Sequence, residues 1–231
     1  MVEAQHRVST LKVVDSLAEQ ALLEAMLEET KPPVPPECRH LHYLLATPFR
    51  YDSAYPKGSR FRRAGRTPGV YYASEKPRTA VAEMAFYRLL FFAESPATPW
   101  PANPAEFTAF SARYLTARGI DLMAMPLSVD RPLWTHPTDY DRCQALADAA
   151  RSAEIEIIRY ESARDLQAGA NVALLACTVF RRGTPQARQT WRLRMSSQGI
   201  QAICEFPDLR FEFSRDAFAS DPRVVNIDWE R

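Results

Sequence analysis

Between Arg50 and Glu83 the chain brings arginines, tyrosines and one glutamate to short range, a set of side chains suited to gripping a phosphorylated sugar and acting on it. From Lys57 to Arg66 there are five basic residues (Lys57, Arg60, Arg62, Arg63, Arg66) and no acid. Four of the five are arginine, whose planar donor fork matches phosphate oxygens two at a time, whereas a loop that only needs solubility can use lysine. The same charge would also suit a plain solvated loop. Glu83 follows in the setting T-A-V-A-E-M-A-F, with little polar surface around it. A carboxylate in a partly apolar cleft facing arginines stays ionised and stabilises developing positive charge. Cleavage of a glycosidic bond needs that, because its transition state is cation-like. The plainer alternative is an ordinary exposed helix residue. Tyr51, Tyr55, Tyr71 and Tyr72 supply rings and hydroxyls, and Tyr71 and Tyr72 sit on opposite faces of any strand they share, so one of them is expected in the core.

The elements that position these residues follow from spacing. Ser16 and Glu19 form a capping box before Leu17, Ala21, Leu22, Ala25 and Met26, which predicts an amphipathic helix over 16–30. The four prolines between Lys31 and Glu37 stop it and form a stiff connector. Residues 1–37 therefore read as a helical extension with a proline-rich connector, and 38–231 as the main domain. Leu41 to Ala46 reads as a short buried strand that delivers Arg50 and Tyr51 to the basic loop. A strand over Val70 to Ala73 leads into a helix over 76–92, with Ser74 as its cap, Pro77 in its first turn and Glu83 along it. A strand over Phe107 to Leu115, a helix over 139–153 capped by Thr138, and strands over Ile155 to Tyr160 and Val172 to Phe180 come next. Three strands with period-two alternation close the chain: Thr190 to Met195, Ile200 to Phe206 and Leu209 to Phe213. Helices early and antiparallel strands late predict an α+β fold, not a doubly wound one.

A chain of 231 residues with 46% hydrophobic and 25% charged residues and a net charge of +1 is of ordinary globular composition. The balance argues against a general nucleic-acid or membrane-surface binder. Cys38, Cys143, Cys177 and Cys204 are far apart and form no metal-ligand pattern with His40, His42 or His136. They read as reduced thiols of a cytoplasmic protein, and no signal or membrane-spanning segment is expected. Glycine-rich nucleotide loops and a nucleophile elbow around Ser162 are absent from the sequence.

The ordered set S-R-F (Ser59 to Phe61), V-Y-Y (Val70 to Tyr72), A-E (Ala82, Glu83), E-S-A-R (Glu161 to Arg164) and Asn171 resembles the RES family, toxins of bacterial toxin–antitoxin pairs. The resemblance covers roughly residues 41 to 215. Phe61 stands where the family has Trp, Glu161 stands where it has Pro, and the N-terminal helix is additional. The resemblance implies an ADP-ribosyltransferase-like split antiparallel sheet with flanking helices, and consumption of NAD by breaking its nicotinamide–ribose bond. It implies Arg60, Tyr72, Glu83 and Ser162 as catalytic residues, and Arg50, Tyr51, Arg60, Tyr72 and Asn171 as the NAD-binding set, with no metal. The ADP-ribosyl group would go to a protein side chain, which the extra helical surface favours, or to phosphate or water in an NAD phosphorylase or glycohydrolase. An Xre-type antitoxin that blocks the NAD cleft is the implied partner. A rival from another class is an RNA-directed toxin, whose arginines contact backbone phosphates while its tyrosines stack bases.

Overall fold

A computed structural model of the chain describes residues 1–3, 10, 13–50, 58–65 and 67–230. The strands are β1 (Val2–Glu3), β2 (Tyr71–Ser74), β3 (Ala105–Phe110), β4 (Gly119–Asp121), β5 (Ile157–Glu161), β6 (Ala170–Leu174), β7 (Arg188–Ser196), β8 (Gly199–Cys204) and β9 (Leu209–Phe213). The helices are α1 (Leu17–Glu29), α2 (Tyr43–Arg50), α3 (Pro77–Ala93), α4 (Arg131–Trp134) and α5 (Asp141–Ser152). One sheet has the order β1-β3-β7-β8-β9 and is antiparallel throughout; the other has the order β2-β6-β5-β4, with only β4 and β5 parallel. The α+β expectation, with two mostly antiparallel sheets, holds.

The helix α3 joins the two sheets. Val81, Ala85, Phe86 and Leu89 bury one stripe of it against Phe107, Trp191, Leu193 and Ile200 of the five-stranded sheet. Each such apolar side chain contributes about 1.5–3 kcal/mol by leaving water. Residues 80, 83, 84 and 87 fall on a different stripe of the same helix and are left for the cleft. Lys76 is its N-cap residue and Pro77 its first residue. Ser74, expected as the cap, instead ends β2 and donates its hydroxyl to Asn171.

Several expectations are corrected. Leu41 to Ala46 is not a strand: helix α2 begins at Tyr43, with the His42 ring accepting from the Leu44 N–H, and buries Leu45 and Ala46. A short apolar run cannot be told from a buried helical turn by periodicity, and among the described residues β2 is paired only through β6. The close pass of Gly69 against this helix needs glycine, since an added Cβ would lie 2.1 Å from the Pro48 carbonyl oxygen. The strand expected over 107–115 stops at Phe110, and that over 172–180 stops at Leu174 and gives way to a 3-10 turn at Cys177–Val179. Thr138 does not cap α5; Tyr140 holds the cap position, and the His136 ring accepts from the N–H groups of Thr138 and Asp139.

The cysteines are not all thiols. Cys38 and Cys177 are disulfide-bonded with their Cα atoms 5.9 Å apart, while Cys143 and Cys204 are free and buried. A separation of 139 residues hides the pair in the sequence, and packing of the connector on the β2–β6 side of the sheet brings it together. The cysteines therefore no longer argue for an intracellular location. No helix among the described residues is long and apolar enough to cross a membrane.

At the other end of the connector, Ser16 caps α1 as expected by accepting from the Glu19 N–H. No residue of this helix is buried, however, and Leu17, Leu22 and Met26 are exposed. It is tied down by Arg50, which bonds Glu28 at 2.6 Å and the Pro32 carbonyl at 2.7 Å.

Candidate active site

Glu83 reaches into a cavity of about 410 Å³ lined by Ser59, Arg60, Tyr72, Tyr87 and Asn171, among others. Its Oε1 accepts two hydrogen bonds, from Ser162 Oγ at 2.7 Å and Asn171 Nδ2 at 2.6 Å. Both donors are buried, at 3% and 2% exposure, so neither bond is shared with bulk water.

The direction of each donor is fixed. Ser162 Oγ accepts from the N–H groups of Arg164 and Asp165, both at 3.1 Å, so its one proton is free to serve Glu83. Asn171 Oδ1 accepts from Ser74 Oγ at 2.6 Å, which turns its amide nitrogen towards Glu83. The Ser162 turn is in turn fastened to α3, because Thr79 donates to Asp165 at 2.8 Å one turn before Glu83. Gly169 lets this turn close: a Cβ there would sit 2.0 Å from Thr79 Oγ1. Oε2 of Glu83 takes no part in these bonds.

Tyr72 and Arg60 form the facing wall. The Tyr72 hydroxyl pairs with Ser59 Oγ at 2.8 Å and accepts from the Phe61 N–H at 3.0 Å, and burial pushes its phenol up. Its neighbour Tyr71 goes to the core, as the alternation of a strand requires. Arg60 lines the cavity, yet two of its nitrogens donate to the carbonyls of Trp134 (2.6 Å) and His136 (3.0 Å), and its plane lies 4.8 Å from the Tyr140 ring centre. What it offers an anion is mostly charge, not a free fork.

The structure thus gathers Arg60, Tyr72, Glu83, Ser162 and Asn171 around one cavity. It does not bring Arg50 there, because that side chain is engaged by Glu28 and Pro32. Tyr51, expected beside it, lies outside the described residues, as do Tyr55, Lys57 and Arg66. The remaining arginines of the basic loop are occupied: Arg63 pairs with Asp148 at 2.6 Å and Arg62 donates to the Thr67 carbonyl.

Other lining residues escape a sequence reading. Tyr87 is one helical turn beyond Glu83, a spacing that could have found it. Tyr140 carries no such signal, while Tyr160 ends an expected strand and Arg164 belongs to the E-S-A-R motif without a site role read for either. Arg164 stacks 3.7 Å from the Phe86 ring centre and pairs at 2.8 Å with Asp221, a wholly buried carboxylate that also binds Arg223. Burial alone would raise the Asp221 carboxyl, but the Arg223 hydrogen bonds and the two positive charges outweigh it and hold it below its ordinary value.

Two mostly antiparallel sheets with flanking helices are consistent with an ADP-ribosyltransferase-like fold. The chain belongs to the RES domain family, which matches it over residues 34–196. That family is associated with NAD-using enzymatic activity. No curated protein matches the chain.

Proposed function

We propose that the protein is a toxin that cleaves the nicotinamide–ribose bond of NAD and transfers the ADP-ribosyl group to a side chain of another protein. The observation that carries this reading is the double hydrogen bond from Ser162 and Asn171 to Glu83 Oε1 inside a tyrosine-walled cavity. Two neutral donors hold the carboxylate rigid, and among the described residues no cation forms an ion pair with it. As nicotinamide leaves with the bonding electrons, positive charge builds on the ribose ring, and a fixed, partly desolvated carboxylate stabilises it without reorganising. Tyr72 and Tyr87 offer ring faces to the nicotinamide, and Arg60 contributes positive charge for the pyrophosphate.

Transfer to inorganic phosphate is supported less, because both arginines of the cavity are already bonded, Arg60 to carbonyls and Arg164 to Asp221 and the Pro137 carbonyl. An RNA-directed action also loses support, since Arg63 is paired and Arg62 is engaged within its own loop. The proposed setting is the bacterial cytoplasm, where NAD is available, with an Xre-type antitoxin covering the cavity.

The test is to incubate the purified protein with NAD, with and without phosphate, and to measure nicotinamide, then to repeat with labelled NAD and a protein extract. Nicotinamide release together with labelled protein bands supports transfer. Release only in phosphate would make the protein a phosphorylase, and no release under any condition would refute the enzyme.

A further inference from the structure

A second cavity, of about 400 Å³, adjoins the first and shares Tyr72, Ala73, Ser74 and Ala80 with it. Its wall takes in Tyr71, Tyr72, Ala73 and Ser74 in succession, and then Ala109 to Ala112 in succession. Alternate residues of a strand point to opposite faces, so a cavity that touches every residue of a run meets the strand at its edge. For β2 that edge is unpaired among the described residues, since β6 occupies the other side. For β3, β7 occupies one side, and on the other β1 pairs Phe107 and Thr108 in a register that sets Met1 opposite Ala109, which leaves Phe110 beyond it among the described residues. Among the described residues, the cavity therefore lies between two stretches of unpaired strand edge.

Such edges take extended polypeptide by backbone hydrogen bonding. The structure already contains an instance: Val2–Glu3 of the chain itself adds to β3 as an antiparallel strand and sets Met1 in the wall common to both cavities. The chemistry of the lining agrees. It is apolar and aromatic, with Phe110, Tyr114 and Phe180, and its charged residues are Lys76 and Glu75, the latter paired with Arg159 at 2.8 Å. A phosphate group would find no arginine there.

We infer that this second cavity is the acceptor site, in which an extended segment of a substrate protein lies along the free edges of β2 and β3 and presents a nucleophilic side chain past Ser74 to the Glu83 cavity. The inference rests on the NAD cleavage proposed above. In the transfer, the bond from ribose C1′ to the nicotinamide nitrogen breaks and a bond from C1′ to the acceptor heteroatom forms. Nicotinamide leaves neutral with the electron pair, and the acceptor loses one proton to solvent.

The experiment fills the second cavity alone. Ala187→Trp and Ala112→Trp each put a large ring into it, and neither residue lines the Glu83 cavity; thermal melts select whichever variant folds. Nicotinamide release from NAD in phosphate-free buffer is measured alongside label transfer from NAD to reduced, alkylated albumin, an unfolded polypeptide probe. The expected result is nicotinamide release within about two-fold of the parent and polypeptide labelling lower by about ten-fold or more. Unchanged labelling overturns the inference. A parallel fall in both readouts overturns it too, by assigning the cavity to NAD itself. A parent protein that releases nicotinamide but labels no polypeptide overturns the acceptor while sparing the cleavage, whereas one that releases none overturns the cleavage reading as well.

Discussion

Ser162 Oγ stands 2.7 Å from Glu83 Oε1 across 79 residues of sequence, and its own oxygen is already filled by two backbone N–H groups. The serine hydroxyl is thus a donor fixed in direction, not a nucleophile in waiting. It holds the carboxylate still while Oε2 remains free of that pair of bonds, and this division of labour within one carboxylate underlies the predictions about the site.

Replacing Glu83 by Gln keeps the shape of the side chain and removes its charge. If Glu83 stabilises a ribosyl cation, nicotinamide release falls by a factor of roughly 100 or more, the cost of losing one preorganised electrostatic group. The melting temperature stays close to that of the parent, because the residue is only partly buried. Equal release from parent and variant would remove Glu83 from the mechanism.

Asn171→Ala and Ser162→Ala separate holding from folding. Asn171→Ala takes one donor from Glu83 and leaves Ser74 without its partner, so the expected loss is mainly in kcat with a small change in KM. Ser162→Ala in addition strands the buried N–H groups of Arg164 and Asp165, which costs about 1–3 kcal/mol in stability. Urea titration of both variants checks this: a Ser162→Ala protein as stable as Asn171→Ala would contradict the geometry. Because both donors serve one oxygen, the double variant should lose less than the product of the single effects.

How far these relationships could be read in the sequence depended on distance along the chain. Helix α3 and the three late strands announce themselves through local periodicity, and Arg60, Tyr72 and Glu83 fall within one window of the chain. Ser162 and Asn171 needed a resemblance, since nothing local ties a turn serine to a glutamate on another element. Arg50 was misplaced for an electrostatic reason. The sequence places it shortly before a basic loop, but in space its partner is Glu28 of a helix that sequence patterning can only describe as an extension. The 41–46 segment is helical where a strand is expected because a short apolar run fits a strand and a helical turn equally well, and the deciding contacts, His42 with Leu44 and Gly69 against Pro48, are a single side-chain hydrogen bond and a tertiary approach. Tyr140 and Asp221 left no trace at all: one reaches the cavity through a loop bend, and the other acts from beyond the region the RES domain covers.

The Cys38–Cys177 bond closes a loop of 139 residues and pins the proline-rich connector to the turn that follows β6. Loss of a link of this span costs roughly 2–5 kcal/mol. Dithiothreitol, or Cys38→Ser, should therefore lower the melting temperature, and the two treatments together should do no more than either alone. Nicotinamide release measured at a temperature where both forms are folded should be unchanged, since neither cysteine lines the Glu83 cavity. Additive effects of reductant and substitution would show that the bond is not the source of the stabilisation.

Asp221 sets the behaviour in acid. It is fully buried between Arg164 and Arg223, and those partners hold its carboxyl below the ordinary value. A group depressed in the folded state contributes stability that is complete above its unfolded value of about 4 and is lost as pH falls through the lower folded value. The parent protein should thus hold its stability from neutral pH down to about pH 4 as far as this group is concerned, and then lose it steeply. Asp221→Asn leaves two arginines without their carboxylate, and removing one partner of a buried ion pair costs about 3–5 kcal/mol. The variant should be weaker at pH 7 and should lack the parent's steep loss below about pH 4, so that the two stability curves converge in acid. Because Arg164 lines the Glu83 cavity and stacks on Phe86 of α3, the same substitution should also raise KM for NAD. Parallel stability curves across the whole acid range would show that Asp221 is not the titrating group.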